Sequence, residues 1–317
     1  MKKFYEVIII GAGPAGLSAA IYAARTTRSV LIIEKAIVGG QQSMTEHLEN
    51  YPGTGKDPVS GIALAEQMQI QAETQGAEFL FDEVKGIEIK GDLKIVKTAY
   101  SGNIEARTII LATGRSPRKL NVQGEEEFIG KGVSFCATCD GAFYRDKKIA
   151  VIGGGNAAFE EALFLTKFAS EILIIHRRAE FRAEKIIIER VKNNPKIKIM
   201  TPYIVTSING DKTVQSVGVK NSENGAESQV DVSGVFMYVG SDPNTELFKE
   251  IVTTDNKGYV VVDEQKRTIV PGIFAAGDML NKHVWQVVTA VSDGAIAAIS
   301  ADEYLTELQR HEIKEKL

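Results

Sequence analysis

The sequence of 317 residues predicts an α/β protein of two Rossmann-like dinucleotide-binding domains, one inserted into the other. Three observations carry that expectation. Two glycine-rich loops, Gly11-Ala12-Gly13-Pro14-Ala15-Gly16 and Gly153-Gly154-Gly155-Asn156-Ala157-Ala158, each follow a short apolar run and precede an alanine-rich helical stretch. The distance from loop to the end of the next apolar run is the same in both, since Glu34 stands 23 residues after Gly11 and His176 stands 23 residues after Gly153. Each unit also closes on an apolar strand that runs into a small-residue turn, Thr108 to Leu111 into Ala112-Thr113-Gly114, and Val235 to Val239 into Gly240-Ser241-Asp242-Pro243. A single glycine loop is a weak signal, but two with matched spacing imply two nucleotide sites on divergent repeats.

Taken in order, the first unit opens with a strand over Val7 to Ile10, the loop, a helix, and a second strand over Val30 to Ile33. A turn-rich stretch then holds Gly39-Gly40-Gln41 and Asn50-Tyr51-Pro52-Gly53. Ile62 to Gln75 reads as a helix stopped by Gly76. Short strands with Gly and Asp turns fill 79–110. Ser116-Pro117 marks a boundary, because the residue before a proline avoids the helical region. The second unit spans 117–243, with strands over Ile149 to Ile152 and Ile172 to Ile175. After it come Tyr259 to Val262, Ile269 to Asp278 and a helix from about Gln286, with the polar end His311 to Leu317 expected to fray. Residues 244–317 are too few for a domain and are expected to return to the first unit. Residues 1–116 and 244–317 then make one domain and 117–243 the other.

A net charge of −4 argues against a nucleic-acid surface. No apolar run approaches the length of a membrane span, and the stretch behind Lys2 and Lys3 stops at Gly11, so it reads as a strand and not as a signal peptide. The chain has 2 cysteines, Cys136 and Cys139, in one CATCD motif whose Asp140 stands 13 residues before Gly153. That usage fits a redox pair in a reducing cytoplasm. The rival reading, half of a zinc site, would need two more ligands from the scattered His47, His176, His283 and His311 or from carboxylates, so no metal is expected.

The glycine loops can be read chemically. Gly11 permits the tight turn, Gly13 the approach of a pyrophosphate, and Gly16 the packing of helix on strand, with free N–H groups of the helix start facing the phosphates. Glu34 is the acceptor expected to meet ribose hydroxyls. In the second loop, Gly153, Gly155, Asn156, Ala157 and Ala158 form the equivalent turn, and the counterpart of Glu34 is His176, followed by Arg177, Arg178 and Arg182. Guanidiniums there suit a 2′-phosphate, which points to NADPH, although Glu180 and Glu184 could instead pair with them as a solvated patch.

GAGPAG, LATG, CATCD, GGGNAA, HRRAEFR and GIFAAGD, in this order over nearly the whole chain, resemble the low-molecular-weight thioredoxin reductases. The resemblance implies a homodimeric cytoplasmic flavoenzyme that passes electrons from NADPH through FAD and a Cys136–Cys139 disulfide to thioredoxin. It places FAD on Gly11, Gly13, Pro14, Ala15 and Gly16, with Glu34 and Lys35 at the ribose end. It also places Gly40, Gln41 and Asn50 on the flavin side, Ala112, Thr113 and Gly114 at the strand end, and Gly277, Asp278, Gln286 and Val287 at the C-terminal motif. It further implies that Cys139 lies nearer the flavin and attacks thioredoxin, and that Asp140 acts as a proton donor to a leaving thiolate; capping the turn at Gly141 is the alternative for Asp140. Three positions depart from the common pattern: Trp285 stands where many members have Arg, Asn156 replaces Asp or Ser, and His47 replaces an aliphatic residue.

Three rivals stay open. A ferredoxin-linked flavin reductase of this fold would not need the arginines. A peroxiredoxin-linked reductase usually carries an extra N-terminal dithiol module, whereas this sequence begins at its first nucleotide-binding strand. A non-enzymatic redox sensor would bind both nucleotides and turn over negligibly.

Overall fold

The structure, a computed structural model, describes residues 2–44, 48, 50–55 and 59–315, and for Thr138, Cys139 and Glu315 the backbone alone. It divides into two compact units, one of Met1–Ser116 with Pro243–Leu317, the other of Pro117–Asp242.

The first unit is organised by the strand Phe4–Ile10, in which Val7, Ile8, Ile9 and Ile10 are all buried. A run apolar on both faces is what a central parallel strand requires. Val30–Glu34 and Asn103–Leu111 flank it in parallel, so that Ile10 lies opposite both Ile33 and Leu111. Glu78–Phe81 extends the sheet beyond Val30–Glu34. The long strand Asn103–Leu111 serves two partners. Its first half pairs antiparallel with Leu93–Thr98, which continues into Val84–Lys90, and its last three residues pair in parallel with Ile273–Ala275 from the returning segment. Tyr259 to Val262 forms no strand; Val260 makes only isolated bridges to Thr254 and Leu280.

The helix Pro14–Arg25 starts from Gly13 with proline in its first turn, where a missing N–H costs nothing. It crosses the C-terminal helix Val287–Glu315 closely, since a Cβ built on Gly294 would stand 2.0 Å from Ala15 O. That last helix runs through His311 to Glu315, where the sequence suggested fraying. There Arg107 Nη2, from the strand Asn103–Leu111, lies 2.9 Å from Glu312 Oε1.

The second unit repeats the core. Its five-stranded parallel sheet has the order Ile197–Met200, Glu171–Ile175, Lys148–Gly153, Val235–Tyr238, Val133–Ser134. A separate antiparallel sheet of Tyr203–Gly210, Val214–Asn221 and Glu227–Asp231 packs its Val205, Ile208, Val217 and Val219 against one face.

Candidate active site

In each unit the glycine loop lies at the carboxyl ends of the parallel strands, the usual ligand edge of such sheets. In the first, Gly11 N donates to Ile33 O at 2.8 Å, and a Cβ on Gly11 would stand 2.5 Å from Ala112 O at a φ of +102°. A Cβ on Gly16 would meet Gly11 O at 1.8 Å. The chain itself therefore demands glycine at both positions. Gly13 is different. Its φ of −72° is ordinary and nothing lies within 4 Å of where its Cβ would be. The second loop repeats the arrangement: a Cβ on Gly153 would stand 2.4 Å from Tyr238 O, while Gly155, at φ −108°, is open. Open space at a glycine the backbone does not require is the cradle a pyrophosphate fits, so both loops suit a dinucleotide.

The remaining predicted residues of the first unit converge on this edge. Glu34 accepts from Ala12 N at 2.7 Å and from Ala36 N at 2.9 Å, so it braces the loop and keeps lone pairs for a ribose. Beyond it, a cavity of about 370 Å³ is lined by Lys35, Ala36, Phe81, Asp82, Glu83 and Tyr100. Burial works to raise the Asp82 carboxyl, but hydrogen bonds from Ser101, Thr98 and Glu83 outweigh it and hold its pKa at about 2. A charged Asp82 thus fixes the turn that forms one wall.

Of the residues expected on the flavin side, the Gly40 Cβ position lies 3.5 Å from Gly13 Cα, Gln41 Nε2 donates to Arg115 O, and Asn50 Nδ2 donates to Gln286 Oε1 at 3.1 Å. Val287 opens the C-terminal helix immediately beyond Gln286. Ala112 N donates to Ile10 O at 2.8 Å, and Thr113 and Gly114 are tied to Asn244, with Thr113 Oγ1 on Asn244 O at 2.7 Å and Asn244 N on Gly114 O at 2.9 Å. A Cβ on Gly277, at φ +82°, would stand 2.8 Å from Ala15 Cβ, which brings the C-terminal motif against the first helix beside Pro14. Asp278 Oδ1 is buried and accepts no hydrogen bond, with Lys282 Nζ 3.4 Å away. Burial raises its pKa, opposed by Lys282 and Arg115. A buried carboxylate oxygen whose one charged neighbour, Lys282, stands at long range keeps an acceptor that a ribityl hydroxyl would complete.

Two of the departures acquire partners. Trp285 Nε1 donates to Leu280 O at 3.3 Å, its ring lies 5.8 Å from Tyr259, and the Arg115 guanidinium sits 4.8 Å above it. Asn156 is bound twice to Glu184. His47 lies outside the described residues.

In the second unit Arg177, Arg178 and Arg182 are exposed, and among the described residues none of them makes an ion pair. Arg182 N donates to Gly154 O at 2.8 Å, which holds the arginine segment against the glycine loop. His176 is buried at 8% exposure. Its ring packs over Gly154, where a Cβ would come within 2.5 Å of it, and its Nε2 bonds Glu180 O at 3.2 Å. Burial and the neighbouring arginines lower its pKa, so the ring is neutral and Nε2–H donates. Of the four predicted ribose-side residues, three therefore face solvent and the histidine backs the loop. Ala157 is exposed, and Ala158 packs beneath Gly153.

Cys136 is disulfide-bonded. The side chain of Cys139 lies outside the described residues. Cys136 O accepts from Asp140 N at 3.2 Å, closing a single helical turn over Ala137–Asp140. Asp140 is half-buried and its side chain makes no capping bond to the following turn Gly141–Tyr144. Burial, then the Asp140 charge, raises the pKa of Tyr144, whose ring packs over Gly234. Sequence reasoning missed Asn244, Lys282, Ser134 and Tyr238. The last could have been found by aligning the repeats, because Tyr238 occupies the place of Ala112.

Two dinucleotide loops with a disulfide in the second unit define a nucleotide-dependent disulfide oxidoreductase, and residues 5–294 match the family described as pyridine nucleotide-disulphide oxidoreductase. A thioredoxin reductase of Listeria innocua is 44% identical over 97% of this chain and 96% of its own length. A bifunctional thioredoxin reductase/thioredoxin of Mycobacterium leprae is 44% identical over 96% of this chain and 67% of its own. The crystal structure of Lactococcus lactis thioredoxin reductase, described as the FR conformation, superimposes with a TM-score of 0.92 at 43% identity, covering 96% of this chain and 99% of that one. The chain belongs to the thioredoxin reductase family. It is an oxidoreductase of two Rossmann-like domains whose cofactors are FAD and NADPH. Among the described residues no helix is long and apolar enough to cross a membrane.

Proposed function

We propose that the chain is an NADPH–thioredoxin-disulfide reductase, with FAD on the unit of residues 1–116 and 244–317, and NADPH on the unit of residues 117–243. The observation that carries the reading is the pairing, within one unit, of a disulfide at Cys136 with an open glycine loop flanked by three exposed arginines that, among the described residues, make no ion pair. When bound, NADPH and FAD supply the hydride and two-electron chemistry.

The chain's residues do the rest. Arg177, Arg178 and Arg182 bind the 2′-phosphate, and His176 supports them by holding Gly154. Glu34 and Asp278 would hold FAD by accepting from its ribose and ribityl hydroxyls. The Cys136–Cys139 bond takes up two electrons and two protons and opens to a dithiol. The Cys139 thiol passes its proton to Asp140 as its sulfur attacks the disulfide of thioredoxin, one partner sulfur leaves as the mixed disulfide forms, and Asp140 delivers that proton to the leaving thiolate. Cys136 then attacks the mixed disulfide, releasing dithiol thioredoxin and restoring the original bond. The working form is a cytoplasmic homodimer.

The test is NADPH oxidation with and without a thioredoxin from the same cell. Oxidation that depends on thioredoxin supports the reading. Flavin reduction by ferredoxin but not by NADPH favours the ferredoxin-linked rival, and nucleotide binding without turnover favours a sensor.

A further inference from the structure

The two repeats place different residues at one position. In the first unit a Cβ on Gly11 would stand 2.5 Å from the carbonyl of Ala112, and in the second a Cβ on Gly153 would stand 2.4 Å from that of Tyr238. Each residue leaves the end of the strand beside the glycine loop. Where the first unit has a methyl group, the second has a phenol, and its hydroxyl accepts a hydrogen bond from Ala137 N at 3.0 Å. Ala137 is buried and follows Cys136. Ser134, also buried, grips the preceding residue: its Oγ accepts from Cys136 N at 3.1 Å and donates to Cys136 O at 3.2 Å. Two hydroxyls from two neighbouring strands thus hold the Cys136 N–H, the Cys136 carbonyl and the Ala137 N–H.

Both come from the parallel sheet of the unit. Ser134 lies on the edge strand Val133–Ser134, paired with Val235 and Phe236, and Tyr238 ends the strand next to it. The phenol stays un-ionised, because burial, then the charge of Glu161, pushes its pKa far above the ordinary value. It is therefore a neutral acceptor at any working pH.

We propose that Tyr238 and Ser134 are positioning residues for the redox disulfide, holding the Cys136–Ala137 peptide in the geometry of the oxidised pair and so setting its reduction potential. The disulfide locks this turn, so an unpaired Ala137 N–H would persist while the bond is intact. Reduction opens the ring and lets the turn move to find another acceptor. Losing a hydroxyl then penalises the oxidised form more than the reduced one, and the couple becomes easier to reduce. The inference rests on the disulfide reading of the proposed function and adds the residues that tune it.

The experiment is a glutathione redox titration of the FAD-loaded enzyme, scored by thiol alkylation after acid quenching, for wild type, Tyr238→Phe, Ser134→Ala and Ser134→Thr. Tyr238→Phe and Ser134→Ala should each shift the equilibrium about two- to tenfold toward the dithiol, the range for one net hydrogen bond; tenfold corresponds to about 30 mV. Ser134→Thr, which keeps the hydroxyl, should return the wild-type value. Should either single variant fail to fold, the other still decides. Variants that lose thermal stability but titrate like wild type, or that shift toward the disulfide, overturn the inference and show the hydroxyls to be structural. A wild-type enzyme with no titratable pair would overturn the proposed function itself.

Discussion

Asn156 and Glu184 hold each other through two hydrogen bonds, Asn156 Nδ2 to Glu184 Oε1 at 2.8 Å and Glu184 N to Asn156 Oδ1 at 2.8 Å. The first residue opens the helix Asn156–Leu165 after the second glycine loop, and the second precedes the helix Lys185–Lys192 beyond the arginines. The side-chain amide fits because it donates to the carboxylate and accepts from the backbone at once. Asn156→Asp keeps the acceptor but sets a carboxylate against Glu184. Its expected cost is about 1 kcal/mol, read as a lower thermal midpoint, with Asn156→Ala similar. An Asp variant as stable as wild type would show that the pair contributes nothing.

The arginines give a coenzyme prediction. Replacing Arg177 and Arg178 by Ala removes charge-assisted bonds worth about 1.5–3 kcal/mol each. The KM for NADPH should rise at least about tenfold while that for NADH stays near wild type. Equal losses for both coenzymes would move the phosphate site elsewhere.

Cys136→Ser should abolish thioredoxin reduction and leave FAD bound, with flavin bleaching by NADPH intact, because hydride transfer precedes the dithiol. Near-normal thioredoxin turnover in this variant would end the disulfide mechanism.

Asp140 makes no capping bond, which leaves the proton-donor role to test. Asp140→Asn should slow dithiol exchange by about 10²–10⁴-fold with little change in stability. Rapid mixing of reduced enzyme with oxidised thioredoxin reads that step, and an unchanged rate would make Asp140 a bystander.

Asp278 links the flavin site to pH. Burial raises its carboxyl above the ordinary carboxylate value. Its favourable contribution to folding of the flavin-free protein is therefore complete below that ordinary value, and is lost as pH rises through the raised one. Asp278→Asn has no charge to bury. Flavin-free Asp278→Asn should match or exceed wild type in thermal midpoint, by a margin that grows as pH rises from the ordinary carboxylate value through the raised one, while retaining FAD less well. A margin that shrinks with rising pH would contradict the burial argument.

The parallel strands were legible because buried central strands are continuously apolar, as Val7 to Ile10 and Ile149 to Ile152 are, and because glycine is forced at Gly11, Gly16 and Gly153 by backbone contacts. The place of His176 was harder to read. It takes the slot of Glu34, and sequence position does not say whether a residue at a strand end turns outward or folds over the neighbouring loop. The sign was present in a different residue: Gly154 stands where the first loop has Ala12, and the bare backbone is what admits the ring. The double pairing of Asn103–Leu111 and the hydroxyl of Tyr238 on Ala137 join residues far apart in the chain, which local pattern cannot report.

The chain contains 1 tryptophan, Trp285, and it lies under Arg115 next to Gln286, the partner of Asn50. Indole emission from this protein therefore has a single source, built into the unit that carries the first glycine loop. Excited-state energy passing from that ring to a yellow acceptor makes loading of the apoprotein visible as a fall in ultraviolet-excited fluorescence, with no label added and no second indole to dilute the signal.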